Sequence, residues 1–99
     1  MEARRVAKHH KVILPALCWS RGRADFYAVT ADVSSDGIRL RSSTVPQVGE
    51  VLTCSIRHIG QVQGRVVRAG DREFVMRVLA RRHVTVSVAR TLIFLAQQQ

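Results

Sequence analysis

The sequence predicts an all-β fold with a terminal helix: six short antiparallel strands in a small barrel or sandwich, followed by a C-terminal α-helix. Three observations predict it. The chain has 99 residues, the size of a single domain. Six runs of β-branched, aromatic or alternating apolar and polar residues follow one another at close spacing, separated by Gly, Pro, Asp and Ser. After the last run, Val84, Val88, Leu92 and Leu95 take up helical spacing.

The first strand is expected over 12–19 (VILPALCW), an apolar run whose proline suits an edge or first strand. Ser20–Asp25 reads as a polar turn region, and 26–33 (FYAVTADV) as the second strand. Ser34-Ser35-Asp36-Gly37 is a tight turn, with Gly37 as the residue for a positive φ, and it opens the third strand, 37–41 (GIRLR). Ser42–Gly49 is a loop containing Pro46. The fourth strand, 50–59, sets Leu52, Cys54, Ile56 and His58 on one face against Val51, Thr53, Ser55 and Arg57. Gly60 ends it. The fifth runs over 61–68, with Gly64 as a bulge or point of close approach, and Ala69-Gly70-Asp71 turns into the sixth, 73–79. The tail is ambiguous: 82–88 alternates like a strand, but 89–99 favours helix, and a helix is expected at about 84–97. The organisation is thus a basic leader, 1–11, and one domain, 12–99.

Composition narrows the function. A 46% hydrophobic and 23% charged chain is neither disordered nor fibrous. No apolar run reaches the length of a membrane span, and the basic N-terminus lacks a signal-peptide core, so a cytoplasmic location is expected. Cys18 and Cys54 lack CxxC spacing and read as small buried hydrophobes rather than a disulfide or metal pair. Sixteen basic against seven acidic residues give a net charge of +9, and fourteen of the sixteen are arginine. That excess favours an anionic partner, and the planar guanidinium suits phosphates and guanine edges.

Catalysis has little to stand on. There is no GxSxG, no phosphate-cradling GxxxxGK[ST] and no paired carboxylates in a recognisable setting. His9, His10, His58 and His83 are scattered, and neighbours on a strand point to opposite faces, so no metal is expected. No enzyme activity and no cofactor are expected. Two features remain: the basic run Arg4-Arg5-Val6-Ala7-Lys8-His9-His10-Lys11, and Asp32-Val33-Ser34-Ser35-Asp36-Gly37 at a strand–turn–strand. Singly, the first reads as a solvated tail and the second as a hairpin turn.

Together, in this order, they resemble the PilZ domain family, the receptors for the bacterial second messenger cyclic di-GMP. That family carries RxxxR just before its first strand and D/NxSxxG at a later strand–turn–strand. Asp32, Ser34 and Gly37 match D/NxSxxG in full, and GIRLRSS, VGEVLTCSI, GQVQGRVVR and REFVMRV are similar to the family's successive strands. The likeness spans about residues 3–96. It departs at one place: Arg4 takes the first arginine of RxxxR, but position 8 is lysine, and the register from Arg5 meets His9.

The resemblance implies a six-stranded barrel with a C-terminal helix, and a cyclic di-GMP site made of Arg4, Arg5, Lys8, Asp32, Ser34 and Gly37. Each residue type suits that task. Arginine holds phosphate, pairs with guanine O6/N7 or stacks on the base. Asp32 accepts from guanine N1–H and N2–H₂, Ser34 adds a hydroxyl, and Gly37 lets the ligand come close. Lys8 keeps the charge without the fork. The implied role is an adaptor that relays the dinucleotide to a protein partner in a motility, secretion or envelope pathway. Two alternatives stand beside it: a PilZ-fold interaction module that does not bind the dinucleotide, and a small basic nucleic-acid-binding barrel. The five aromatic residues and the missing stacking platform disfavour the last, and no DNA is expected.

Overall fold

The structure, a computed structural model, describes residues 10–34 and 36–79. Six strands form a closed antiparallel barrel: β1 (Pro15–Ser20), β2 (Arg23–Val33), β3 (Gly37–Arg41), β4 (Val51–Ile56), β5 (Gly60–Gly70) and β6 (Glu73–Val78). Their order around the barrel is β1-β2-β3-β6-β5-β4. Of the two architectures open to six such strands, this is the barrel. The expected helix at 84–97 lies outside the described residues, as do Arg4, Arg5 and Lys8.

Period-two alternation builds the core. Ala16 and Cys18 from β1, Phe26, Ala28 and Thr30 from β2, and Leu52, Cys54 and Ile56 from β4 point inward and are buried. Ile38, Leu40, Val62, Val66, Phe74 and Met76 complete the interior. Phe26 and Phe74 meet edge to face, with ring centroids 6.2 Å apart, an arrangement favoured by the ring quadrupoles. Cys18 faces Cys54 across β1 and β4, both free and buried, and the Cys54 thiol donates to the Cys18 sulfur at 3.1 Å. That hydrogen bond holds the Cys18 thiol below its ordinary pKa, while the same bond and burial push Cys54 up.

Several boundaries and turns differ from expectation, each for a local reason. The first strand begins at Pro15 rather than Val12, because the Thr30 side chain takes over part of the ladder there. Thr30 N still donates to the Leu14 carbonyl (2.9 Å), but its hydroxyl accepts from Leu14 N (2.9 Å) and donates to the Val12 carbonyl. Proline then opens β1, where a missing N–H costs least. The polar stretch expected as a turn at Ser20–Asp25 is only Arg21-Gly22, with Gly22 at φ 74°, and β2 starts at Arg23. His58 does not continue the core face; β4 stops at Ile56, and His58, at φ 73°, lies exposed in the turn. The last hairpin turns at Asp71-Arg72, with Arg72 at φ 61°, so Ala69 and Gly70 stay in β5.

Two glycines behave differently from one another. Gly64 is a close-approach point: a Cβ there would collide with Met76 Cγ and come within 2.9 Å of the Arg77 carbonyl. Gly37 does not take a positive φ; what constrains it is proximity, since a Cβ would lie 3.2 Å from the Met76 carbonyl across β3 and β6.

Candidate ligand-binding site

The site is set by a parity break in β2. Phe26, Ala28 and Thr30 point inward, yet so does Val33, three residues on instead of two. The register explains it: Thr30 pairs with Leu40 and Asp32 with Arg39, so Ala31 is the extra residue of a β-bulge. The bulge turns Asp32 to the outer surface beside Arg39 while returning Val33 to the core.

Asp32 Oδ2 lies 2.6 Å from Arg39 Nη2. Arg39 Nη1 in turn approaches Glu73 Oε2 at 3.7 Å, and Arg41 Nε reaches Glu73 Oε1 at 4.0 Å. A row of charges, Asp32–Arg39–Glu73–Arg41, therefore crosses from β2 over β3 to β6. Arg39 Nε is buried and finds no hydrogen-bond acceptor among the described residues. Sequence reasoning missed Arg39. Its signal was present in the alternation of GIRLR, which sets Arg39 outward, but its pairing with Asp32 depends on the bulge.

Beyond Asp32 the turn is held by its own polar groups. Ser34 N donates to the Gly37 carbonyl at 2.9 Å. The Ser34 hydroxyl donates to Asp36 Oδ1 at 2.9 Å, which leaves its oxygen lone pairs as acceptors. Val78 N, at the end of β6, donates to the Asp36 carbonyl at 3.4 Å. The structure thus brings Asp32, Ser34 and Gly37 together at one end of the barrel.

The segment before β1 reaches the same place. His10 and Val33 form an isolated antiparallel bridge, with His10 N donating to Val33 O and Val33 N to His10 O, both at 2.8 Å. His10 lies near the end of the basic run and Val33 sits between Asp32 and Ser34, so this end of the run is fixed beside the turn. A separate outer depression of about 600 Å³, lined by Trp19, Arg21, Glu50 and Gln63 among others, lies at the other end of β2 and does not include these residues. Among the described residues no group of three or more His, Cys, Asp or Glu could hold a metal, and no helix is long and apolar enough to cross a membrane.

Comparison with known proteins converges on one family. Residues 5–94 match the PilZ domain. The fold is similar to the PilZ domain of CeSA from a cellulose-synthesizing bacterium, with a TM-score of 0.74 and 18% identity over 89% of this chain and 97% of that one. It is also similar to the Bacillus subtilis inhibitor of motility MotI/DgrA, with a TM-score of 0.70 and 15% identity over 99% of this chain. The chain spans about half of that second protein, 54% of its length. No curated protein matches the sequence significantly.

Proposed function

Since the chain belongs to the PilZ family, we propose that it is a cyclic di-GMP receptor that relays the dinucleotide to a protein partner inside the cell, and that it carries out no reaction. The single observation that supports this most is the His10–Val33 bridge. It anchors the chain two residues after Lys8 beside Asp32 and Ser34, and on this reading Arg4, Arg5 and Lys8 close on a ligand seated at the turn. In this reading Asp32 accepts from the N1–H and N2–H₂ edge of one guanine. The guanidinium of Arg39 holds the Asp32 carboxylate in place, and charge-assisted pairing of this kind fixes orientation as well as energy. Ser34 offers its lone pairs, and the close packing at Gly37 keeps the turn's backbone near the barrel wall. Arg4, Arg5 and Lys8 supply phosphate and base contacts, and ordering them on the ligand is what changes the surface a partner meets.

The lysine at position 8 favours a second reading, an interaction module that keeps the fold without the ligand. The likeness to a motility inhibitor is compatible with both, and the partner is proposed to lie in a motility, secretion or envelope pathway. Calorimetry with cyclic di-GMP separates them. The receptor predicts saturable binding at micromolar concentration or tighter and much weaker binding of cyclic di-AMP, whose adenines lack O6 and the N1–H/N2–H₂ pair. An absence of saturation up to about 1 mM, a binding free energy near −4 kcal/mol, leaves the interaction module.

A further inference from the structure

The outer wall formed by β1 and β2 is apolar where alternation would make it polar. Pro15 pairs with Val29 and Leu17 with Tyr27, all four directed outward, and Ile13 continues the row before β1. Tyr27 is 79% exposed, Ile13 68% and Val29 40%. Basic residues flank the Pro15–Val29 end of this row, and Ser55 on β4 flanks Leu17. Arg41 pairs with Val29 from β3, and Arg57, whose N–H donates to the Pro15 carbonyl, lies on the other side beyond β1. Lys11 is exposed at the Ile13 end, and Asp25 lies beyond Tyr27 at the other.

We propose that this wall docks peripherally on an anionic lipid surface. The outside of a closed barrel is convex, and a fluid interface accommodates protruding side chains that a rigid partner would have to match with a groove. Tyrosine suits that interface because its ring is apolar and its hydroxyl remains wet. Arginines flanking an apolar row bury their stems and direct their charge to lipid phosphates. The +9 net charge of the chain supplies long-range attraction to the same surface and opposes a second copy as the occupant. The proposal uses none of the residues assigned to cyclic di-GMP and stands or falls apart from that reading.

The test uses the full chain without cyclic di-GMP. Vesicles of equal parts phosphatidylglycerol and phosphatidylcholine are compared with pure phosphatidylcholine by co-sedimentation, alongside the emission of Trp19, the sole tryptophan, on the same outward row. Binding to the anionic vesicles with a blue shift of Trp19, and none to the neutral ones, is the expected result. Tyr27→Asp and Ile13→Asp, at highly exposed positions, should each weaken partition about tenfold with thermal unfolding unchanged. Ile13→Ser and Tyr27→Ser serve if either acidic variant unfolds. Arg41→Glu/Arg57→Glu should weaken it more than Arg65→Glu/Arg68→Glu, the same charge change on β5. Four results overturn the proposal: no binding to anionic vesicles, which leaves the wall to an acidic protein; full binding by both apolar variants, which means bulk charge alone; equal loss from the two Arg pairs; and a dimer in sedimentation velocity that Tyr27→Asp dissolves, which assigns the wall to a second copy.

Discussion

The two ends of β2 each carry an ion pair, and they are built to opposite specifications. At the start of the strand, Glu50 accepts from Arg23 Nε at 2.7 Å and Nη2 at 3.0 Å, from the Ser20 hydroxyl at 2.9 Å and from Gln47 N at 3.0 Å. Both carboxylate oxygens are engaged by groups from three parts of the chain, so the pair ties β1, β2 and the loop before β4 together. The Arg23 hydrogen bonds, opposed by partial burial and helped by Gln47, Ser20 and the Arg23 charge, hold the Glu50 carboxyl down at about 2. At the far end, Arg39 is shared between Asp32 and Glu73 and keeps a buried Nε–H without an acceptor among the described residues. The first pair is closed and works for stability. The second leaves only the Arg39 Nε–H open, on the bulged strand end where the dinucleotide is proposed to bind.

The sharpest way to break that contrast is Asp32→Ala. On the receptor reading it weakens cyclic di-GMP binding by about 1–3 kcal/mol, tenfold to a hundredfold, and calorimetry reads it directly. Bulk attraction to a basic chain predicts the opposite sign, because a negative charge has been removed. A folded variant that binds as well as the parent would show that the open end is not the site. Next in size is Lys8→Arg, which restores the guanidinium fork and should tighten binding about tenfold. If Lys8→Arg is neutral and His9→Arg has the large effect, the leader runs in the register that starts at Arg5.

The closed end should answer in stability and not in affinity. Glu50→Gln is expected to cost about 1 kcal/mol in denaturant unfolding. The carboxyl's shift from 4.5 to about 2 is worth at most ~3 kcal/mol, and screening around side chains 25% and 21% exposed removes most of it. Because the folded-state pKa is the depressed one, this contribution is complete above about 4.5, falls as the pH drops toward about 2, and is absent below that. Acid titration of the parent should therefore show a stability loss through that window that Glu50→Gln lacks. The smallest effect belongs to Arg68→Ala, on exposed β5 away from both ends, which should leave affinity and stability within experimental error.

How much of this the sequence held differs between strands and site. Alternation placed the inward face of β4 as far as Ile56, because Leu52, Cys54 and Ile56 are each two positions from the next. It failed wherever a side chain or a bulge substitutes for the ladder. Nothing in Thr30-Ala31-Asp32 marks Ala31 as the extra residue, since the bulge is defined by Leu40 and Arg39 on the partner strand. For the same reason Asp32 was legible as a motif residue while its pairing with Arg39 was not. The facing of Cys18 and Cys54 was hidden too, because only the β1–β4 register reveals it. Gly37 was legible as a special position, but for the wrong cause: it takes no positive φ, and it is the Met76 carbonyl, 3.2 Å from where a Cβ would sit, that crowds a side chain there.

Closure of the barrel has a consequence for how any protein can recognise this domain. Each of the six strands already has a hydrogen-bonded neighbour on both sides, from β1 round to β4. Among the described residues no strand lacks a neighbour on either side, so an incoming peptide finds no whole edge strand to extend, and the strand-to-strand polymerisation that open edges invite is disfavoured. A partner must therefore read side chains and loop ends, and its specificity is written in residues that single substitutions can rewrite without touching the backbone ladder.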